Sequence, residues 1–441
     1  MRNAVAWSYD LLSPGEQRLF RRLALFAGGC TLEAAEAICG EAEEVSPGSV
    51  LEGLTALVDQ SLVRAESVAG KPRFLLLEVI REFALEQLHM SGKADTLHRQ
   101  HALYYLHLAE EAARMGPAQD ARDGQLIQEF ANACAALEWA QAQGESTLGL
   151  RLATACGRVW YFFGLGSESL RWLEAFLALD TQAGAQAAAP AVRIRALYGI
   201  GQMAMERGEY DRVEALAREE LALAERVSDE SGMGNALAHL GMVAENRGDL
   251  PTAASFLEQG IAHCQKAGDI GGAGRAMVSL GHVFRALGEY ARARQMFEAA
   301  LEQHRAINLT WPVAIALTSL GHLAGSQGDY RLALDRYRES LALLRTFGTK
   351  GYIAWCFEGM ATAACAVGQP EQAAQLCAVA ERLRVEARSP RPPVEQRHYE
   401  QTVAAAHAAL GDKRFEQVWA VGQTLPLEEA LSDALAERPA P

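Results

Sequence analysis

Positive charge is scarce in this chain of 441 residues: 41 Lys and Arg stand against 55 Asp and Glu, a net charge of −14. Affinity for nucleic acid is built from cations that neutralise phosphates, so this balance argues against a general polyanion binder. Paired cysteines are missing too. The eight Cys are scattered singly with no CxxC, which points to buried thiols in a reducing cytoplasm. No run of 18 apolar residues occurs, so no membrane span is expected. The opening residues MRNAVAWSYD lack the apolar stretch of a signal peptide. The expected location is the cytoplasm.

Catalytic signatures are absent as well. There is no GxSxG, no HExxH and no Cys with a His at a recognisable spacing. A phosphate-binding loop needs G-x-x-x-x-G-K-[ST], so that backbone amides and one Lys can cradle phosphates. The two Gly-Lys pairs, Gly70-Lys71 and Gly92-Lys93, have neither the upstream Gly nor a following Ser or Thr. His98 and His101 stand at i, i+3 on a polar helix with no third ligand nearby. They read as a solvated face. The sequence therefore predicts no enzyme, no metal site and no cofactor.

What is present is a beat of 40 residues. One column reads Gly201, Gly241, Gly281, Gly321 and Ala361. Seven residues on come Gly208, Gly248, Gly288, Gly328 and Gly368, each followed by Glu209, Asp249, Glu289, Asp329 or Gln369. Then stand Tyr210, Leu250, Tyr290, Tyr330 and Pro370, and three further on Val213, Ala253, Ala293, Ala333 and Ala373. Fixed-period self-similarity marks a solenoid. A Gly inside a helical pattern costs about 1 kcal/mol against Ala, so something must offset it. Close approach of a neighbouring helix does so. The second Gly column suits a left-handed helix end, and the acid after it can cap the next helix. Each phrase therefore encodes helix, tight turn, helix.

These columns resemble the tetratricopeptide repeat, best in LGHVFRALGEYARARQMFEAAL (Leu280–Leu301). That repeat is commonly about 34 residues long, so each pair here is longer. GRVWYFFGLGSESLRWLEAFLAL (Gly157–Leu179) resembles a degenerate front copy. The resemblance implies a concave surface lined by the first helix of each pair. By register, the residues facing it are Arg195, Tyr198, Gln202, Asn235, Met242, Glu245, Arg275, His282, Arg285, His322, Trp355 and Glu358. The alternative is a solvated inner face with no dedicated ligand. His282 and His322 share a column, but successive helices sit too far apart for them to form a zinc site alone.

Residues 1–90 do not follow the beat. SPGE (Ser13–Glu16) is a capping box with Pro at the first helical position. EQRLFRRLALFAGG then predicts an amphipathic helix ending at Gly28-Gly29. TLEAAEAIC (Thr31–Cys39) and SVLEGLTALVDQ (Ser49–Gln60) predict two more helices. SLVRAE and PRFLLLE read as strands around the wing SVAGK, and VIREFALEQLH as a closing helix. Three helices and a two-stranded wing make a winged helix. Its third helix carries Glu52 and Asp59 and no Lys or Arg. Residues 1–90 hold eight Lys and Arg against thirteen Asp and Glu, a net of −5. A DNA reader without phosphate anchors binds weakly, which favours a structural role.

WSYDLLSPGEQRLFRRLALFAGGCTLEAAEAIC, LTALVDQSLVRAE and RFLLLEVIREFALEQL resemble the winged-helix module of bacterial STAND signalling ATPases, the large regulators of LuxR type among them. HRQHALYYLHLAEEA (His98–Ala112), QEFANACAALEWA (Gln128–Ala140) and the repeats follow in the family's order. The resemblance implies a winged helix docked on an upstream nucleotide-binding domain, in cis or in trans, and repeats that receive a protein partner or small inducer. The nucleotide-binding domain and a DNA-binding effector are not recognised in this chain. Related switches carry a Met-His-Asp element whose His reaches the nucleotide; the matching positions here are Leu76, Leu77 and Glu78. The missing His argues against direct nucleotide contact.

The expected architecture is mainly α. A winged helix occupies 1–90, a helical connector 91–145, the repeat array 146–388 and a C-terminal hairpin or cap 389–441. The expected function is a non-catalytic sensor and scaffold arm of a regulator. The alternative is a DNA-binding winged-helix transcriptional regulator.

Overall fold

Ser13 opens its helix as the sequence requires. Its hydroxyl accepts from the Glu16 amide at 3.3 Å, and the Glu16 carboxylate accepts from the Ser13 amide at 2.7 Å, closing the box on α2 (Pro14–Leu23). A short helix not expected from the sequence, α1 (Arg2–Asp10), precedes it. The computed structural model describes residues 2–40, 49–68, 70–114, 124, 126–184, 187–347 and 349–436. These fall into two compact units, one of residues up to 156 with 175–188, the other of 157–174 with 189 onward.

In the first unit α2 stops at Leu23, not at Gly28-Gly29. The amides of Ala24, Leu25 and Phe26 each bond three residues back, a tightened last turn. It carries Leu25 and Phe26 into the core. Gly29, at φ +72°, then turns the chain so that Cys30 pairs with Phe74 in both directions, at 2.9 and 2.8 Å. The strand-like pairing of Cys30 is therefore the competitor that ended the helix. Beyond it lie α3 (Leu32–Cys39), capped by Thr31, and α4 (Ser49–Asp59). β1 (Arg64–Val68) and β2 (Lys71–Leu75) pair antiparallel, Arg64 opposite Leu75. Ala69 of the expected wing lies outside the described residues. α5 (Glu78–Met90), α6 (Ala94–Arg114) and α7 (Phe130–Ala142) follow.

One buried polar knot ties wing to connector. Arg73 of β2 donates to Glu129 at 2.6 Å and to the carbonyls of Gly28 and Gly29 at 2.8 and 3.0 Å. Glu129 also receives Asn132 Nδ2 and the Tyr105 hydroxyl. His101 lies beside this knot, 1% exposed, packed on Phe26 and Tyr105. Burial pushes its pKa down to about 3. The solvated face expected for His98 and His101 is corrected: α3 and α7 cover α6, and His98 stacks on Trp139.

The second unit is a run of helix pairs. The end of α8 (Ser146–Phe162) and the start of α9 (Gly166–Gln182) lead into it. Then come α10 (Pro190–Glu206) with α11 (Tyr210–Val227), α12 (Glu230–Asn246) with α13 (Leu250–Ala267), and α14 (Ile270–Ala286) with α15 (Tyr290–Ala306). α16 (Thr310–Ser326) pairs with α17 (Tyr330–Leu344), and α18 (Lys350–Ala366) with α19 (Pro370–Ala387). α20 (Pro393–Leu410), α21 (Asp412–Thr424) and α22 (Leu427–Leu435) close the chain. The interior glycines sit where helices nestle. A Cβ on Gly241 would lie 2.6 Å from Leu257, on Gly281 2.5 Å from Phe297, and on Gly321 2.6 Å from Tyr337. Gly201 departs from the column, facing His239 of the next pair. The turn glycines Gly208, Gly248, Gly288, Gly328 and Gly368 all have φ between +71° and +83°.

The acid column behaves in two ways. Asp249 and Asp329 cap through the amides of Thr252 and Leu332, at 3.2 and 3.1 Å. Glu209 and Glu289 make no cap bond and instead hold Arg212 and Arg292 three residues on. One extra methylene carries the carboxylate past the amide.

Candidate functional site

The first helices of the pairs turn polar side chains toward one another, and three clusters form. The first joins Tyr198 of α10, Asn235 of α12 and Arg275 of α14. Arg275 donates to Asn235 Oδ1 at 2.9 Å and sits 5.5 Å from the centre of the Tyr198 ring. Tyr198 stacks on His239 at 5.0 Å and 16°. Asp269 accepts from the Ser231 hydroxyl at 2.7 Å while capping α14 through Gly272. Burial works against the Asp269 carboxylate, but Arg275 and these donors outweigh it and hold its pKa low. Glu220 of α11 is fully buried with no protein partner for either carboxylate oxygen. Burial pushes its pKa well up, with Asp229 adding and Arg275 opposing.

The second cluster gathers His282 of α14, His322 of α16 and Trp355 of α18. His322 stacks on Trp355 at 4.6 Å and 27°, and His282 lies 5.5 Å from the same ring. His282 Nε2 meets the Ser319 hydroxyl at 3.0 Å. Burial pushes the two imidazoles down to about 3 and about 4, so both are neutral. Arg285, one turn from His282, donates to Glu395 of α20 at 2.6 Å. Burial disfavours that carboxylate, yet Arg285 more than offsets it and holds the Glu395 pKa at about 2. Glu245 of α12 feels both of these charges. Burial pushes its pKa up to about 8, with Arg285 opposing. His322 Nε2 and Arg285 Nε are buried without a protein partner.

The third cluster is an ion-pair lock. Glu358 of α18 is 9% exposed. It receives Arg384 twice, at 2.9 and 2.8 Å, and Arg391 at 2.7 Å. Arg391 also reaches Glu381 and lies 3.3 Å from the centre of the Tyr399 ring. Near it, Glu206 at the end of α10 takes the Tyr161 hydroxyl and bonds Tyr352. Burial raises its pKa to about 8, against the pull of Tyr352, Arg384 and Arg207. Phe162, Trp311, Phe347 and Tyr352 pack around this point, with ring centres 4.9–5.9 Å apart. Phe162 and Trp311 are far apart in sequence, so the second unit curls back on itself here.

Of the twelve residues selected by register, Tyr198, Asn235 and Arg275 share one cluster and His282, Arg285, His322, Trp355 and Glu245 another. Glu358 belongs to the lock. Gln202 and Met242 are half-buried and Arg195 is exposed. The sequence reading missed His239, Glu206, Arg384, Arg391 and Glu395. Glu395 stands one 40-residue period past Trp355 and Arg391 one past Gly351, so the same register carried beyond residue 388 reaches them. In the first unit Leu76 packs on the winged-helix core, while Leu77, 45% exposed, precedes α5 as its unbonded cap. Glu78 is exposed and holds Arg81. Among the described residues no group of three or more His, Cys, Asp and Glu could hold a metal, and no helix is long and apolar enough to cross a membrane.

Residues 12–89 match the family described as a winged helix-turn-helix domain, and residues 272–346 match the tetratricopeptide repeat. A Mycobacterium tuberculosis protein named as an HTH-type transcriptional regulator is 36% identical over 245 residues, covering 54% of this chain and 27% of that protein. An uncharacterized M. tuberculosis protein is 40% identical over 93 residues, covering 21% of this chain and 24% of that protein. The chain thus spans about a quarter of the length of the curated relatives it matches. Among solved structures, a STAND protein with a tetratricopeptide-repeat sensor from Pyrococcus horikoshii aligns over 97% of this chain and 65% of that one, at 14% identity and a TM-score of 0.50. That likeness concerns the fold alone. The chain is a winged helix joined to an array of tetratricopeptide-like pairs, with relatives named as bacterial transcriptional regulators.

Proposed function

We propose that this chain is the non-catalytic sensor and scaffold arm of a signal-transduction regulator. Its repeats bind a protein partner or a small inducer on their inner face. Its winged helix docks a nucleotide-binding domain, in cis or in trans. The observation that carries the first part is the convergence of polar groups from α10, α12, α14, α16 and α18. Among these groups His322 Nε2 and Arg285 Nε have no protein partner and can take a ligand's hydrogen bond.

The test uses the full chain as bait for partners and inducers, followed by Arg275→Ala, Arg285→Ala and Trp355→Ala. A captured ligand should be lost in at least one. Binding that ignores all three removes the inner face from the reading. For the winged helix, the exposed pair Leu77 and Val79 offers a docking probe. A charge introduced by Leu77→Glu should weaken association with a nucleotide-binding domain of a related regulator, and unchanged association would count against docking there.

A further inference from the structure

Most helices of the second unit pack on their neighbours in sequence. The last two residues of α8, Tyr161 and Phe162, do not: they meet the first turns of α16 and α18. The Phe162 ring lies 5.2 Å from Trp311 and 5.9 Å from Phe347, and Trp311 lies 4.9 Å from Tyr352. Phe162 is buried in the core that the last pairs build. Among the described residues no backbone hydrogen bond crosses this seam, so side chains hold it. One of them is an acid. Glu206, the last residue of α10, receives the Tyr161 hydroxyl from one side of the seam and bonds Tyr352 on the other. Its charged neighbours are Arg384 of α19 and Arg207 beside it. Both are committed elsewhere, Arg384 to Glu358 and Arg207 to the Ser167 hydroxyl of α9.

We propose that this seam is a latch, and that closing it takes up one proton on the Glu206 carboxyl. The second unit then has two forms, one closed with Phe162 seated on Trp311, the other open with the end of α8 released. The proton link follows from burial. In the closed form the carboxyl is held neutral, its pKa raised to about 8. In the open form it meets water and returns to the ordinary value of about 4.3. Between those two values the closed form carries a proton that the open form lacks. The ratio of closed to open therefore falls about ten-fold per pH unit and levels off above about 8. Aromatic packing opposes the loss, because seating Phe162 on Trp311 removes apolar surface from water. The pair α14 and α15 has a core that does not include Phe162, so it stays folded when the seam opens. The latch needs no ligand and is independent of what the inner face binds.

Fluorine NMR on the full chain reads the seam directly. One sample carries para-fluorophenylalanine at Phe162, and a second carries it at Phe297 in the α14–α15 core. Exposure is read from the shift of each signal between light and heavy water. Above about pH 6.5 the lowered pKa values of His282 and His322 leave both rings neutral. From there to about pH 8 an exposed Phe162 signal should gain on the buried one by about ten-fold per unit, then level off. The Phe297 signal should stay buried throughout. Glu206→Gln keeps the shape of the neutral acid and should hold the buried Phe162 signal across the range. Glu245→Gln, which removes the other acid raised to about 8, should leave the opening unchanged. Trp311→Ala should give the exposed signal at every pH. A Phe162 signal exposed throughout or buried throughout overturns the latch, as does exposure of Phe162 and Phe297 together. Opening that runs alike in Glu206→Gln and the parent, or that Glu245→Gln abolishes, overturns the proton link. Should Glu206→Gln fail to fold, Tyr161→Phe decides. It removes one donor to the carboxyl and should shift the ratio several-fold toward the open form, and an unchanged ratio overturns the proposal.

Discussion

At the scale of single residues, two kinds of glycine do different work in the same repeat. Gly281 is packed: its absent Cβ leaves room for the Phe297 ring. Gly288 is turned: φ is +76°, and a Cβ there would meet nothing within 4 Å. Gly281→Ala should therefore lower stability by about 1–3 kcal/mol through overpacking, and Gly288→Ala by about 1–2 kcal/mol through backbone strain. Asparagine separates the causes, because it tolerates the left-handed region. Gly288→Asn should recover part of the loss in urea melts while Gly281→Asn should deepen it, and equal effects at both sites would undo the distinction. Two half-buried acids give a pH signature. Glu206 and Glu245 have pKa values raised to about 8, above an unfolded value near 4.3. Their stabilisation is complete below that value and is lost as pH climbs through 8. His282 and His322 are lowered to about 3 and about 4, so their contribution is present above roughly 6.5 and lost as pH falls. The trends oppose one another below pH 6.5 and the acids act alone above it. Glu206→Gln with Glu245→Gln should flatten the fall in urea midpoint between about pH 6.5 and 8. An unaltered slope would mean that these carboxyls are charged in the fold.

At the scale of elements, the repeat was legible because its columns are stereochemical. Glycine after each first helix marks a left-handed turn, and small residues at the crossing mark close helix contact. What resisted reading is the second turn of each repeat. Ser228, Gly268, Asn308 and Arg388 all have positive φ at the same beat, yet four different residues hide the column. The end of α2 resisted on separate grounds: Leu25 and Phe26 suit helix and core alike, and tertiary pairing at Cys30 decided. The acid column allows a sharper test. Glu289 does not cap α15, whereas Asp249 and Asp329 cap their helices. Glu289→Asp should create the missing bond to the amide three residues on, gaining about 0.5–1 kcal/mol. The ion pair with Arg292 that it gives up is largely exposed and worth little. Asp249→Ala should cost about 1 kcal/mol. A thermal melt in which Glu289→Asp is no more stable than the parent chain would show that the exposed pair outweighs the cap.

At the scale of the whole molecule, periodicity foretells neighbours but not returns. Register named Trp355, His282 and His322 as inner-face residues. It could not foretell that Phe162 would touch Trp311, or that Glu395, one beat past Trp355, would reach back to Arg285. Those contacts depend on how far each pair rotates against the next, a property spread over many side chains. Net charge, by contrast, is legible at once and bears on the rival reading as a DNA binder. The chain carries −14 overall, and α4, the helix that would enter a groove, has no Lys or Arg. Arg73, the one cation in the middle of β2, is spent on Glu129 and two carbonyls. Each phosphate neutralised contributes a slope of about −0.9 to the logarithm of affinity against the logarithm of salt. A reader making six contacts would thus weaken by about 10³ between 50 and 200 mM salt. Duplex DNA titrated with this chain should show no binding tighter than about 10⁻⁴ M at either salt. A steep slope with sub-micromolar affinity at the lower salt would instead require a basic surface assembled from residues distant in sequence, and would make the winged helix a reader rather than the docking module proposed for it.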